Sequence, residues 1–229
     1  AGLMGAGIAQ VAASSGFQVD LVDTQQGALD QGRERIVSSL NRLERAGKLR
    51  DGADAALARI RFGLDLERAA RAADLVVEAI VEALEPKQSL FAKLGGWCPE
   101  DVILATNTSQ FRIGQIAEPC KNPERVIGMH WSNPPPLMML VEVIVSPATR
   151  DDVLEATLDF VKACDRSSVV CRKDVPGFIS NRMSTVFFME AARLVDEGIA
   201  TPADIDEVAR KMYGHKMGPI STLDLAGLD

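Results

Sequence analysis

With 229 residues, 47% of them hydrophobic and 25% charged, the chain has the composition of a globular enzyme and the length for one large domain plus a smaller second one. Its net charge of −7 excludes a general nucleic-acid surface, which needs a basic stripe to displace counterions. No apolar run reaches membrane-spanning length, and Cys98, Cys120, Cys164 and Cys171 form no CxxC pair and have no histidine at metal-ligand spacing, so no metal, membrane or disulfide frame is expected and a cytoplasmic protein is.

From the N-terminus, Gly2-Leu3-Met4-Gly5, followed by Ala6-Gly7-Ile8-Ala9, has the form of the latter part of a Gly-x-Gly-x-x-Gly turn. Such a turn lets backbone amides meet a pyrophosphate at a helix N-terminus. Gly2, Leu3, Met4 and Gly5 are therefore cofactor-binding candidates. The first glycine and the strand before it would lie upstream of Ala1, and that strand is central in the Rossmann order, so a sequence cut at its N-terminus is expected. A helix from Gly5 to Ser15 and a strand from Phe17 to Val22 follow. Asp23 ends that strand, 18 positions after Gly5, where a carboxylate can accept hydrogen bonds from the adenosine ribose; a helix N-cap is its alternative use. Thr24-Gln25-Gln26 offers no arginine for a 2′-phosphate, so NAD is preferred over NADP.

Leu29, Ile36, Leu40 and Leu43 recur at helical spacing through Gln25 to Ala46, and the charged stretch from about 42 to 59 reads as a helical excursion from the sheet. Strands are expected at Ile60 to Phe62, Leu75 to Ala79, Val102 to Ala105, Val126 to Met129, Val141 to Val145 and Ser168 to Cys171. Their alternation with helical patterns is that of βαβ units and a parallel sheet. Near Lys173-Asp174-Val175-Pro176-Gly177 the pattern becomes helix only. The expected organisation is an α/β, Rossmann-type NAD-binding domain over 1–172 and part of an all-α domain over 173–229, cut in mid-pattern, with helices at about 177–197, 202–212 and from 219.

The chain has two histidines. His130 ends the strand Val126-Ile127-Gly128-Met129, and ligands of open α/β sheets gather at the carboxyl ends of strands. His215 sits in the polar turn Tyr213-Gly214-His215-Lys216 and reads as an exposed loop residue. Glu142 interrupts the apolar run Leu140-Val141-Glu142-Val143-Ile144-Val145. It either faces water from an edge strand or is buried with a partner. An imidazole base with a carboxylate on its other nitrogen suits the oxidation of a secondary alcohol by a nicotinamide cofactor.

Several ordered motifs resemble the 3-hydroxyacyl-CoA dehydrogenase family across the chain: the Gly2 to Ala9 turn, Val76-Val77-Glu78-Ala79-Ile80-Val81-Glu82, Asn107-Thr108-Ser109, Gly128-Met129-His130 with Asn133-Pro134, Leu140-Val141-Glu142-Val143, and Lys173 to Phe178 with Asn181-Arg182. The resemblance implies reversible NAD-dependent oxidation of an L-3-hydroxyacyl-CoA in fatty acid or butanoate metabolism, with His130 and Glu142 as the catalytic dyad. It implies that Ser109 and Asn181 hold the substrate's oxygen and the nicotinamide region, with Asn133 near the dyad. Glu82 and Lys87 are implied to line the cofactor, as are Ala79 and Asn107 within their motifs, and Asp23 to bind the ribose. It further implies basic residues of the excursion, among Arg42, Arg45 and Lys48, near the CoA nucleotide, and a homodimer formed through the helical domain.

Duller uses stand beside these: Ser109 and Asn107 satisfying turn amides, Asn181 as a solvated helix position, and Glu82–Lys87 as a surface pair. Trp131-Ser132 replaces the two aromatics usual after the family's histidine, and His130 to Pro135 is also similar to a branch acting on pyridine hydroxymethyl compounds, which leaves a substrate without CoA open. A NAD-binding structural protein of crystallin type is the alternative outside enzymology.

Overall fold

Short β-branched and aliphatic runs supply seven strands among the described residues, which in this computed structural model are 1–226. The chain divides into two compact units, Ala1–Phe178 and Ile179–Asp229.

In the first unit, β1 (Val19–Val22) and β2 (Ile60–Gly63) pair in parallel. A second sheet runs in sequence order through β3 (Leu75–Glu78), β4 (Ile103–Thr106), β5 (Val126–Trp131), β6 (Leu140–Ile144) and β7 (Ser167–Cys171). The expected strands are all present, but the sheet is not wholly parallel: β6 runs antiparallel to β5. Residues 132–139, which join them, are too few for a parallel crossover of a dozen or more residues.

Helix α1 (Leu3–Ser14) is built of small residues, and Ala6 through Ala13 are buried. It packs Ala6, Ala9 and Ala13 against Leu21, Ile36 and Leu40. Ile8 and Val11 join Ile127, Met129, Trp131 and Val141 of β5 and β6. Gly7 has no room for a side chain, since a Cβ there would come within 2.9 Å of the Pro135 ring. The long helix α2 (Gln26–Arg45) buries Leu29, Ile36 and Leu40, and the excursion ends in the short α3 (Ala53–Ala58). The remaining helices of this unit are α4 (Leu66–Arg71), α5 (Leu84–Trp97), α6 (Ile113–Ala117) and α7 (Asp151–Ala163).

The first unit extends to Phe178 rather than ending near residue 172. Asp174 accepts the amides of Ile113 and Gly114, both at 2.8 Å, and so caps α6 from the far end of the chain segment.

The second unit contains α8 (Ser180–Asp196), α9 (Pro202–Met212) and α10 (Pro219–Ala226). Thr201 and Asp204 form a capping box at α9, with Pro202 at its first position. Buried Asp206 accepts the amides of Ile220 and Ser221 and the Ser221 hydroxyl, which fastens the start of α10 to α9. His215 is exposed, as its turn suggests, and its ring lies edge-on to Phe187 at 5.2 Å.

Candidate active site

Antiparallel pairing sets His130 of β5 directly opposite Glu142 of β6, so their side chains project from one face of the sheet as a cross-strand pair. The neighbours Met129, Trp131, Val141 and Val143 point to the other face and enter the core under α1 and α7. His130 Nδ1 lies 2.7 Å from Glu142 Oε2, and both residues are buried. The edge-strand alternative for Glu142 does not hold, because β6 is flanked by β5 and β7.

An ionised carboxylate only accepts hydrogen bonds, so Nδ1 carries the proton of a neutral His130 and Nε2 presents its lone pair. Ser109 Oγ stands 3.2 Å from that Nε2. A proton arriving at Nε2 would form an imidazolium that Glu142 stabilises in place. The Phe178 ring covers the imidazole, with centroids 5.6 Å apart and a tilt of 59°. Phe178 takes a left-handed φ of 47°, a conformation rare for a side chain of that size.

Ser109 is held by a clamp. Glu82 accepts the Thr108 hydroxyl and the amides of Ser109 (2.8 Å) and Gln110 (3.3 Å), while Lys87 Nζ lies 3.0 Å from its other oxygen. Burial works to raise the Glu82 carboxyl; the Thr108 hydroxyl, the Lys87 ammonium and the Ser109 amide outweigh it and hold the group below its ordinary value. Glu82 and Lys87 are not a surface pair, since Lys87 is 1% exposed and also bonds Glu78 at 2.8 Å. Asn107 Oδ1 accepts the Trp131 amide at 2.8 Å and ties the end of β5 to β4. Asn181 lies in α8 of the second unit, and its main-chain carbonyl accepts the Thr185 hydroxyl.

The glycine turn suits a dinucleotide. Helix α1 opens on Gly2 with no side-chain cap, which leaves its first amides to an external acceptor, and nothing lies within 4 Å of a Cβ at Gly2. Gly5 faces Ala79, just past the carboxyl end of β3, at 3.9 Å. Asp23 follows β1, and its carboxylate accepts the Gln25 amide (3.1 Å). It does not cap α2, whose N-cap is Gln25. Asn133 is exposed on the loop that follows β5. The described residues hold no cluster of His, Cys, Asp or Glu fit for a metal.

A glycine-led helix, an acid just past β1 and a buried imidazole–carboxylate pair on a mostly parallel sheet make up the arrangement of Rossmann-type, dinucleotide-dependent oxidoreductases. The chain belongs to the 3-hydroxyacyl-CoA dehydrogenase family: residues 1–175 match its NAD binding domain and residues 177–229 its C-terminal domain. NAD is accordingly the cofactor. Human mitochondrial hydroxyacyl-coenzyme A dehydrogenase is 42% identical over 234 residues, covering 100% of this chain and 74% of the human one. The (S)-3-hydroxybutyryl-CoA dehydrogenase PaaH1 from Ralstonia eutropha has the same fold, with a TM-score of 0.93 at 36% identity, over 100% of this chain and 80% of that one. FadB2 of M. tuberculosis aligns with a TM-score of 0.94 at 36% identity, over 100% and 81% of the two chains.

Glu78, Thr106 and Phe178 join the neighbourhood of the dyad without having stood out as single site residues. Glu78 carries the signal that marks Glu142, a carboxylate closing an apolar run, but at a strand end such a group is easily taken for a solvated one.

Because the Glu82 pKa is depressed in the folded chain, its contribution to stability is complete above the ordinary glutamate value of about 4.3 and is lost as pH falls through the lower folded value. The urea midpoints of wild type and Glu82→Gln should therefore differ at about pH 6 and converge towards about pH 3. A gap that stays constant over that range would show that the clamp does not depend on the Glu82 charge.

Proposed function

We propose that the protein interconverts an L-3-hydroxyacyl-CoA and the 3-oxoacyl-CoA, within fatty acid or butanoate metabolism. The observation that carries this reading is the 2.7 Å bond between His130 Nδ1 and Glu142 Oε2, with Nε2 turned to Ser109. Bound NAD supplies the acceptor for the hydride that leaves the alcohol carbon. His130 Nε2 takes the hydroxyl proton, and Glu142 holds the ring and offsets the charge that forms. Ser109 gives the substrate's oxygen a hydroxyl donor beside that nitrogen. Asn181 joins this set on its family motif. Gly2, Leu3, Met4, Gly5, Asp23, Ala79, Glu82, Lys87, Asn107 and Asn133 form the cofactor side, Lys87 and Asn107 acting there through the residues they hold.

A CoA thioester is favoured by the surface between α1, α2 and the proline loop. A groove of about 440 Å³ there has Leu3, Gly7, Ile36 and Pro134 to Pro136 in its walls, with Ser38, Ser39 and Arg42 among its polar residues. Beside it, Ser38, Asn41, Arg42 and Arg45 line a second opening of about 360 Å³. Apolar walls followed by two guanidinium groups suit a pantetheine arm ending in phosphates. A pyridine alcohol carries no phosphate for those arginines, and a structural protein has no use for a buried imidazole–carboxylate pair.

The second unit supports a homodimer. Along α8, Met183, Val186 and Met189 are 70%, 69% and 67% exposed and recur at helical spacing, a face suited to burial against a second copy. No helix among the described residues is long and apolar enough to cross a membrane. Buried, reduced thiols fit a cytoplasmic setting, with burial pushing Cys120 and Cys164 up to about 11.

Wild-type protein given acetoacetyl-CoA and NADH should consume NADH; absorbance no different from the blank would reject the reading. His130→Gln should lower kcat about a hundredfold or more while NADH affinity changes little. Turnover at the wild-type rate would remove His130 from the chemistry. Replacing Arg42 and Arg45 by alanine should raise KM for acetoacetyl-CoA about tenfold and leave KM for the acetoacetyl-pantetheine thioester unchanged. Equal effects on both thioesters would place the phosphates elsewhere. Val186→Asp should halve the mass found by sedimentation equilibrium, whereas an unchanged mass would dismiss α8 as the dimer face.

A further inference from the structure

Next to the dyad lies a second group of buried charges, centred on Glu78 at the end of β3. Glu78 is 3% exposed and Lys87 1%, and Thr106 and Thr108 are fully buried. Glu78 Oε1 accepts Lys87 Nζ at 2.8 Å and the Ile80 amide at 2.7 Å, while Oε2 accepts the Thr106 hydroxyl at 2.7 Å. Two hydrogen-bonded routes leave this one carboxylate. One passes through Thr106, whose Oγ1 accepts the Thr108 amide at 3.2 Å. The other passes through Lys87, whose ammonium also holds Glu82, and Glu82 accepts the Thr108 hydroxyl and the Ser109 amide. Both routes end on the turn that presents Ser109 Oγ to His130 Nε2.

Stability alone does not call for such a cluster, because buried ions are costly to desolvate and apolar residues of the same volume often serve a fold as well or better. What the cluster supplies is direction: each carboxylate oxygen of Glu78 and Glu82 has its own hydrogen-bond or ion-pair partners, and those partners lead to the Ser109 turn. We propose that Glu78 is a positioning residue for the dehydrogenase reaction, acting through Thr106, Lys87 and Glu82 to aim the Ser109 hydroxyl at His130. This rests on the reading of His130 as the base. An amide cannot substitute for the carboxylate. Glutamine at 78 would turn an –NH₂ either to Thr106, leaving that hydroxyl without its acceptor, or to Lys87 and the Ile80 amide, which are themselves donors. Lys87 would then have Glu82 as its sole counter-charge in the cluster and would draw it from the turn amides.

The test uses ¹⁵N-histidine NMR together with kinetics, in a chain whose two histidines make assignment direct. Without cofactor or substrate, Glu78→Gln should move the His130 Nε2 resonance towards that of an unbonded pyridine-type nitrogen, in the same direction as Ser109→Ala. In the acetoacetyl-CoA assay Glu78→Gln should lower kcat about tenfold with both KM values within about twofold of wild type. The Glu78→Gln, Ser109→Ala double variant should be no slower than Ser109→Ala alone, since the two residues act in one chain. An unmoved Nε2 resonance, or rate losses that multiply, would overturn the proposal and assign Glu78 to the scaffold. If Glu78→Gln does not fold, Thr106→Val decides, because it removes one route and keeps the side-chain shape. It too should shift Nε2 and lower kcat without adding to Ser109→Ala, and a wild-type resonance and rate in Thr106→Val would reject the proposal. Absence of any dehydrogenase activity in the wild type would sink the functional reading, and the NMR comparison would still judge the Glu78 arrangement by itself.

Discussion

A carboxylate in the middle of a buried sheet is tolerable only with a partner, and Glu142 meets its partner across one strand pair. The register of β5 against β6 thereby becomes a functional quantity. A slip of one residue would send His130 and Glu142 to opposite faces, into the aliphatic layer that Met129, Trp131, Val141 and Val143 now fill. Their alternation with the dyad makes that slip costly. Core packing on one face and chemistry on the other are thus specified by the same two-residue period.

Around this pair the fold supplies neighbours from separate elements. The end of β4 supplies Ser109 and Asn107, the latter stitched to the backbone of β5. Phe178 arrives from the last turn of the first unit and closes over the ring. Asp174 fixes that same segment to α6, so the ring cover and the helix behind it share an anchor. Each neighbour is fixed by hydrogen bonds or packing made before any ligand arrives, which is what preorganisation requires.

Much of this was readable from the residues. The seven β-branched runs appear as strands within two residues of the expected ends, because runs such as Val126-Ile127-Gly128-Met129 and Ser168-Val169-Val170-Cys171 suit nothing else between helical patterns. The direction of β6 was not readable from its composition, which serves parallel and antiparallel strands alike; the shortness of 132–139 was the available clue. Glu142 betrayed itself by interrupting Leu140 to Val145, whereas Glu78 follows Leu75-Val76-Val77 at the point where a strand normally meets solvent. Its burial is set by Lys87 and Thr106, residues 9 and 28 positions away. No residue pattern announces the left-handed backbone of Phe178, since tertiary packing and not local composition sets it. For the same reason the first unit reaches to Phe178 although the composition changes at 173.

Helix α1 touches the Pro135 ring at a position with no side chain, and that contact has a bearing on inheritance. Two separate elements, the glycine-led helix and the loop that follows β5, meet through a gap smaller than one methyl group. Neither can drift alone. Any lineage that enlarges residue 7 must re-route residues 133–136 as well, so variation in the shape of the neighbouring groove is confined to its other wall, the turns of α2 that carry Ser38, Ser39 and Arg42.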